Sequence, residues 1–169
     1  MQLEERNLWM APGNPLLVLE HFRKHNVPLV VIGGYAVAFH GYLRATEDVD
    51  IVFIRSDSSE ISLLKALQEI NASWIGNELD AATGIESLVR VSAAYVRSTR
   101  LMMLVTDLGF LDIFDYVPGC PDVSVAELLS ASVQHPAGYR FSSLKLLRQM
   151  KLASGRPKDL LDLEMLPEV

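Results

Sequence analysis

The residues able to do chemistry concentrate in one segment, VVIGGYAVAFHGYLRATEDVDIVF, from Val30 to Phe53. A spacer of 13 residues separates Gly33-Gly34 from Asp48-Val49-Asp50, which lies among apolar neighbours. Side chains on a strand alternate faces, so Asp48 and Asp50 project together while Val49 and Ile51 point into a core. Two carboxylates on one face repel each other unless a cation sits between them. Their hard oxygens suit Mg²⁺ or Mn²⁺. The glycines allow a tight turn and close approach of a ligand to the backbone. N–H groups that open a helix then form an anion site. Carboxylates beside such amides describe a site for a metal–nucleoside triphosphate.

A third carboxylate is expected from a neighbouring strand, with Asp107, Asp112 and Asp115 as candidates. Asp107 falls in a turn. Asp115 lies three residues beyond Asp112 and so faces the other way in a regular strand. Asp112 sits within Phe110-Leu111-Asp112-Ile113-Phe114, where an unpaired charge is costly. It is the residue chosen.

The elements that must position these groups read as an α/β or α+β fold, a mixed sheet flanked by helices. Residues 1–13 read as an arm, with 14–169 a single domain. Asn14 is expected to cap a helix that has Pro15 at its first position, with Leu16, Leu17, Leu19, Phe22 and also Val18 as its apolar stripe. Strands are expected at Pro28–Ile32, Val49–Ile54, Leu101–Thr106 and Phe110–Tyr116, with a short helix at Tyr35–Tyr42. Asp57 and Glu60 fit a capping box for the next helix. A strand is expected near Leu88–Val91, followed by a turn or a continuation through Tyr95. Helices are expected over 124–132, 144–153 and 157–166, with His135–Gly138 as a turn.

The string GGYAVAFHGYLRATEDVDIVF resembles the DNA polymerase β-type nucleotidyltransferase superfamily, and within it the minimal bacterial nucleotidyltransferases of the AbiEii toxin type. The segment LKLLRQMKLASGRPKDLLDLEML, residues 144–166, is similar to the C-terminal signature of that type. The resemblance covers roughly 14–166. It implies Mg²⁺-dependent (or Mn²⁺-dependent) transfer of a nucleoside monophosphate from an NTP such as ATP to an acceptor hydroxyl or phosphate. By the same resemblance Gly33 and Gly34 hold phosphates, Asp48 and Asp50 bind metal, and Asp112 aids metal binding or activates the acceptor. Lys151 matches a helical lysine facing the triphosphate. Arg44 and Thr46 match the lead-in to the two aspartates. The acceptors implied are a tRNA end, as for a toxin, a partner protein, as for an antitoxin, or a hydroxylated antibiotic. The rival reading is a non-catalytic module of the same fold that binds a nucleotide or a partner.

Composition sets the outer bounds. Half of the 169 residues are apolar and 21% are charged, which excludes a disordered chain. The net charge of −6 argues against sequence-blind binding along nucleic acid. The one cysteine, Cys120, rules out an internal disulfide and a cysteine zinc cage, so a reducing, cytoplasmic compartment is expected. The longest apolar run, Val27 to Phe39, is too short to span a membrane. A homodimer is compatible with the chain.

Some residues carry plainer readings. His40 is expected to pack or cap at its helix end, and His21, His25 and His135 to show no metal spacing. Asp159 and Asp162 are expected to form weak salt bridges with Arg156 or Lys158. Met102 and Met103 are expected in the core. Lys145, Arg148 and Lys151 share a helix face that is either solvated or in contact with a triphosphate or RNA end.

Overall fold

The computed structural model describes residues 15–169; the expected arm and the Asn14 cap lie outside them. Among the described residues eight strands form one sheet, in the order β4 (Glu86–Arg90), β3 (Ser73–Leu79), β5 (Leu101–Thr106), β6 (Gly109–Phe114), β2 (Asp48–Phe53), β1 (Leu29–Val31), β8 (Arg140–Phe141) and β7 (Val133–Gln134). The central strands are β1 (Leu29–Val31), β2 (Asp48–Phe53), β5 (Leu101–Thr106) and β6 (Gly109–Phe114). β2 runs parallel to β6 and antiparallel to β1, so the sheet is mixed, as expected.

One face of these strands is closed. Val49, Ile51 and Phe53 of β2, Met102 and Leu104 of β5, and Leu111 and Ile113 of β6 are all buried. Helix α1 (Pro15–Lys24) packs on β2 and on α3 (Asp57–Glu69). Its buried stripe is Val18, Leu19 and Phe22; Leu16 and Leu17 are exposed, because the 3.6-residue period places them off that stripe. α3 is capped by Ser56, which accepts from Ser59 N–H in a capping box, and not by Asp57. The chain is still extended at Ser56, which places its hydroxyl over the first turn one residue before the expected cap.

The other face is covered only in part. Helix α6 (Leu144–Ser154) lies over it through Leu147, Met150 and Lys151, which share a cavity with Asp50 and Phe114. Helix α7 (Pro157–Met165) packs on α6. Gly155, in the left-handed region at φ 61°, ends α6. Helix α2 (Gly33–Phe39) joins β1 to the segment before β2, and α5 (Val125–Ala131) lies against β1. The expected turn at His135–Gly138 is the tip of a short hairpin, β7 (Val133–Gln134) and β8 (Arg140–Phe141).

Residues 71–98 hold more structure than their pattern suggests. β3 (Ser73–Leu79) and β4 (Glu86–Arg90) form a hairpin at the sheet edge, and α4 (Ala93–Ser98), capped by Ser92, replaces the expected turn or continuation. The alternation in β3 is masked by Gly76, where a Cβ would lie 3.0 Å from Ser87 Oγ across the hairpin, and by a register shift between Ile75 and Leu79. Tertiary contact supplies what the local pattern lacks: Trp74 stacks on Tyr95 of α4 at 5.3 Å, with the rings 3° from parallel.

Candidate functional site

The register across the middle of the sheet brings the expected carboxylates together. Asp50 of β2 pairs directly with Asp112 of β6, and Asp48 pairs with Phe110. Paired residues on neighbouring strands share a face, so Asp48, Asp50 and Asp112 converge, with candidate ligand oxygens within 4.8 Å of one another. The other two candidates are engaged elsewhere. Asp115 binds Arg55 and Arg100, each at 3.0 Å, and Asp107 accepts from Asn71.

Charge is poorly compensated in this triad. Burial, reinforced by the charges of Asp48 and Asp112, pushes the Asp50 carboxyl up to about 6. Burial and the Asp48 charge push Asp112 up to about 6 as well. A cation held by these oxygens would relieve that repulsion. A hard, all-oxygen set is the donor chemistry of Mg²⁺ or Mn²⁺, so the residues fit such an ion. The phenol of Tyr35, in the first turn of α2, is also raised, by burial and by Asp48.

The two glycines are required by contact as well as by backbone shape. Gly33 has φ +63°, and a Cβ there would lie 1.9 Å from Asp50 Oδ2. A Cβ on Gly34 would lie 2.6 Å from Thr46 Oγ1 and 3.3 Å from Arg44 Nη1. The start of α2 is thus pressed against the triad, and its N-cap, Ile32, makes no side-chain hydrogen bond to the first-turn amides. Thr46 lies beside Asp48, with Oγ1 at 3.3 Å from its carbonyl oxygen.

Lys151, expected to face a triphosphate, is instead buried among carboxylates. Its side chain is 6% exposed, and Nζ donates to Asp159 at 2.7 Å and lies 2.8 Å from Asp162. Arg44 makes a two-pronged pair with Asp162, at 2.6 and 2.8 Å, and Arg156 donates to Asp159 at 2.6 Å. Asp159 and Asp162, expected to form weak salt bridges with Arg156 or Lys158, are wholly buried, and Asp159 does pair with Arg156. α7 packs on α6 along the face that carries them, which turns a spacing typical of weak surface pairs into an interior network. Burial works against the Asp159 charge, but hydrogen bonds from Arg156, Lys151 and Ser154 outweigh it and hold this carboxyl well below the usual range. Asp162 is lowered in the same way by Arg44 and Lys151.

Two cavities flank the triad. One, of about 400 Å³, is lined by Ile32, Gly33, Asp50, Phe114, Lys151 and Arg156 among others. The second is a groove of about 600 Å³, with Asp48, Asp112, Met103, Phe110, Ile75 and Lys158 in its wall. Sequence reasoning missed Met103, Phe110 and Ile75 as part of the site. Met103 is 63% exposed, not core, because it follows the inward-facing Met102. Alternation alone could have separated the two methionines.

Arg148, His40, His21 and His25 hold elements of the fold together. Arg148 donates to the carbonyls of Leu163, Leu166 and Pro167 and so ties α6 to the end of α7. His40 Nε2 lies 2.8 Å from the Ser142 carbonyl oxygen. His21 and His25 sit one helical turn apart and do meet a carboxylate, Glu69, with candidate ligand atoms within 4.8 Å. His25 pairs with Glu69 at 2.8 Å and His21 bonds the Ala66 carbonyl at 2.9 Å, which clasps α1 to α3. Burial raises the Cys120 thiol, which leaves it a poor nucleophile. No helix of the described residues is long and apolar enough to cross a membrane.

No protein-family model matches the chain, and no curated protein matches it in sequence. Solved structures do match in fold. The solution structure of the antibiotic-resistance factor ANT(2'')-Ia superposes with a TM-score of 0.53 at 16% identity, over 88% of this chain and 77% of that one. The crystal structure of ANT(2'')-Ia in complex with adenylyl-2''-tobramycin gives a TM-score of 0.51 at 16% identity, over 89% and 85%. The chain therefore has a nucleotidyltransferase fold, an α+β architecture built on a mixed sheet.

Proposed function

We propose that the protein is a nucleotidyltransferase that moves a nucleoside monophosphate from an NTP to an acceptor, with Mg²⁺ or Mn²⁺ held by Asp48, Asp50 and Asp112. The observation that carries this reading is the pairing of Asp50 with Asp112 on adjacent parallel strands, with Asp50 resting on Gly33 at the start of α2. A bound divalent cation would neutralise phosphate charge and polarise the phosphorus under attack. The fold shared with ANT(2'')-Ia supports the reading.

The chain's own groups divide the work. The first-turn amides of α2 at Gly33 and Gly34 face the phosphates, with the helix start adding positive potential. Lys158, at the start of α7, acts on the charge of both Asp50 and Asp112 and supplies the positive charge that Lys151 and Arg156, both held by Asp159, do not have free. Arg44 and Thr46 hold the loop before β2, and through it Asp48, in place. In the transfer, the acceptor oxygen bonds to the α-phosphorus. The bond from that phosphorus to the bridging oxygen breaks, and pyrophosphate leaves with the electron pair. Asp112, which lines the larger groove beside Asp48, takes the acceptor's proton.

The acceptors in view are those of the sequence resemblance: a tRNA end or partner protein in a toxin–antitoxin pair, or a hydroxylated antibiotic. Incubating the chain with each α-labelled NTP, Mg²⁺, total tRNA and cell lysate identifies which molecule takes up label. Label in any acceptor that vanishes with Asp48→Asn supports the proposal. No transfer from any NTP to any fraction, together with no Mg²⁺-dependent NTP binding, would overturn it.

A further inference from the structure

The face that carries the triad continues past it as bare apolar sheet. Asp112 pairs with Met103 of β5, Ser73 pairs with Val105 and so brings Ile75 beside Met103, and Ile75 pairs with Leu88. A single row thus runs Asp50–Asp112–Met103–Ile75–Leu88 across five strands. A second row runs Asp48–Phe110–Val105. Leu88, Ile75 and Phe110 are each more than 40% exposed, like Met103, and no helix of the described residues covers them. Exposed apolar surface of this continuity marks a binding surface when it borders a site.

Charge limits what can lie there. The groove wall carries Glu47, Asp48 and Asp112 against Arg44 and Lys158. Arg44 is held by Asp162, so Lys158 is left as its free cation among the described residues. A polyanion needs several unengaged cations along its track. The groove's volume of about 600 Å³ is that of a pocket for a drug-sized molecule.

We infer that this apolar shelf is the acceptor subsite, and that the acceptor is a small, non-anionic hydroxyl compound with an apolar face rather than a nucleic-acid end. The inference rests on the nucleotidyl-transfer reading for the role of the compound, but its binding can be read without transfer. The apolar face lies on Met103, Ile75 and Phe110, and the register then presents the hydroxyl to Asp112, the next residue in the row.

The test uses the full chain labelled with ¹³C at the methionine methyls, titrated with 2-(2-naphthyl)ethanol as a neutral probe and, separately, with total tRNA. The Met103 methyl should shift with the alcohol, while Met102, on the opposite face, stays still. Met103→Ala should weaken the alcohol about tenfold, the loss expected when most of one buried apolar side chain is removed. Three results would overturn the inference: a Met103 methyl indifferent to the alcohol, one that responds to tRNA in its place, or one that moves with protein concentration, which would assign the shelf to a second copy. If the alcohol binds but Mg²⁺–NTP does not, the shelf stands as a binding site and the transfer reading fails.

Discussion

Two groups of aspartates lie side by side, Asp50 of one and Asp159 of the other lining the same cavity, and titrate in opposite directions. Asp50 and Asp112 are pushed up to about 6, whereas Asp159 and Asp162 are held down. Burial opposes the charge in all four cases, so burial is not the difference. The second group meets Lys151, Arg44 and Arg156 at hydrogen-bond distance, and the triad meets mainly its own members. A buried charge that is fully paired belongs to the scaffold. One left unpaired among like charges is built to receive something positive. Lys151 shows how easily the two are confused: it lies beside the site, yet its charge is already spent on α7.

The comparison is most open to attack at the network. Asp162→Asn should lower stability by about 3–5 kcal/mol, because Arg44 and Lys151 would keep their charges beside a neutral amide. Denaturant melts measure this directly. A variant as stable as wild type would return Asp162 to the surface-pair class.

Ligand linkage sharpens the other side. With Mg²⁺ present and an NTP at about 100 times its Kd, the folded state gains about 2.7 kcal/mol. Asp48→Asn and Asp50→Asn should each abolish transfer and erase most of that gain. Their apo forms should melt at or slightly above wild type, by up to about 1 kcal/mol, since like charges are relieved. Apo variants that melt far below wild type would make these aspartates structural.

The two lysines then separate the classes within one helix pair. Lys158→Ala should weaken Mg²⁺–NTP by about fivefold, near 1 kcal/mol, with the melting temperature unchanged. Lys151→Ala should lower the melting temperature instead. The reverse pattern would restore Lys151 as the phosphate contact.

The smallest effect is in pH. For Asp159 and Asp162 the folded pKa lies below the unfolded value near 4, so their contribution is present above about pH 4 and is lost as pH falls through the folded values. For Asp50 and Asp112 the sign reverses. The folded state holds protons that the unfolded chain has released, so apo stability should decline from about pH 4 to about pH 6, on the order of 1 kcal/mol. Melts in EDTA across that window show the decline, and Asp50→Asn should flatten it. An equally steep decline in the variant would place the titrating group elsewhere.

The sequence by itself determined the carboxylate pair, the glycines and the central strands. A two-residue alternation and a turn that demands glycine are local rules, legible wherever the chain is regular. Alternation set Asp115 aside and a turn set Asp107 aside, and the strand register places Asp112 opposite Asp50. The sequence did not determine where charge would be spent. Asp159 and Asp162 have the spacing of a solvated helix face, and only the packing of α7 on α6 turns that face inward, onto Lys151 and Arg44. The hairpin β3–β4 was hidden for a related reason: Gly76 and a register shift break the local pattern, and pairing with β5 restores it. The open apolar shelf beside Asp112 exists because no helix of the described residues covers that end of the sheet. Periodicity reports which residues share a face, and tertiary packing alone decides whether that face meets protein, solvent or a ligand.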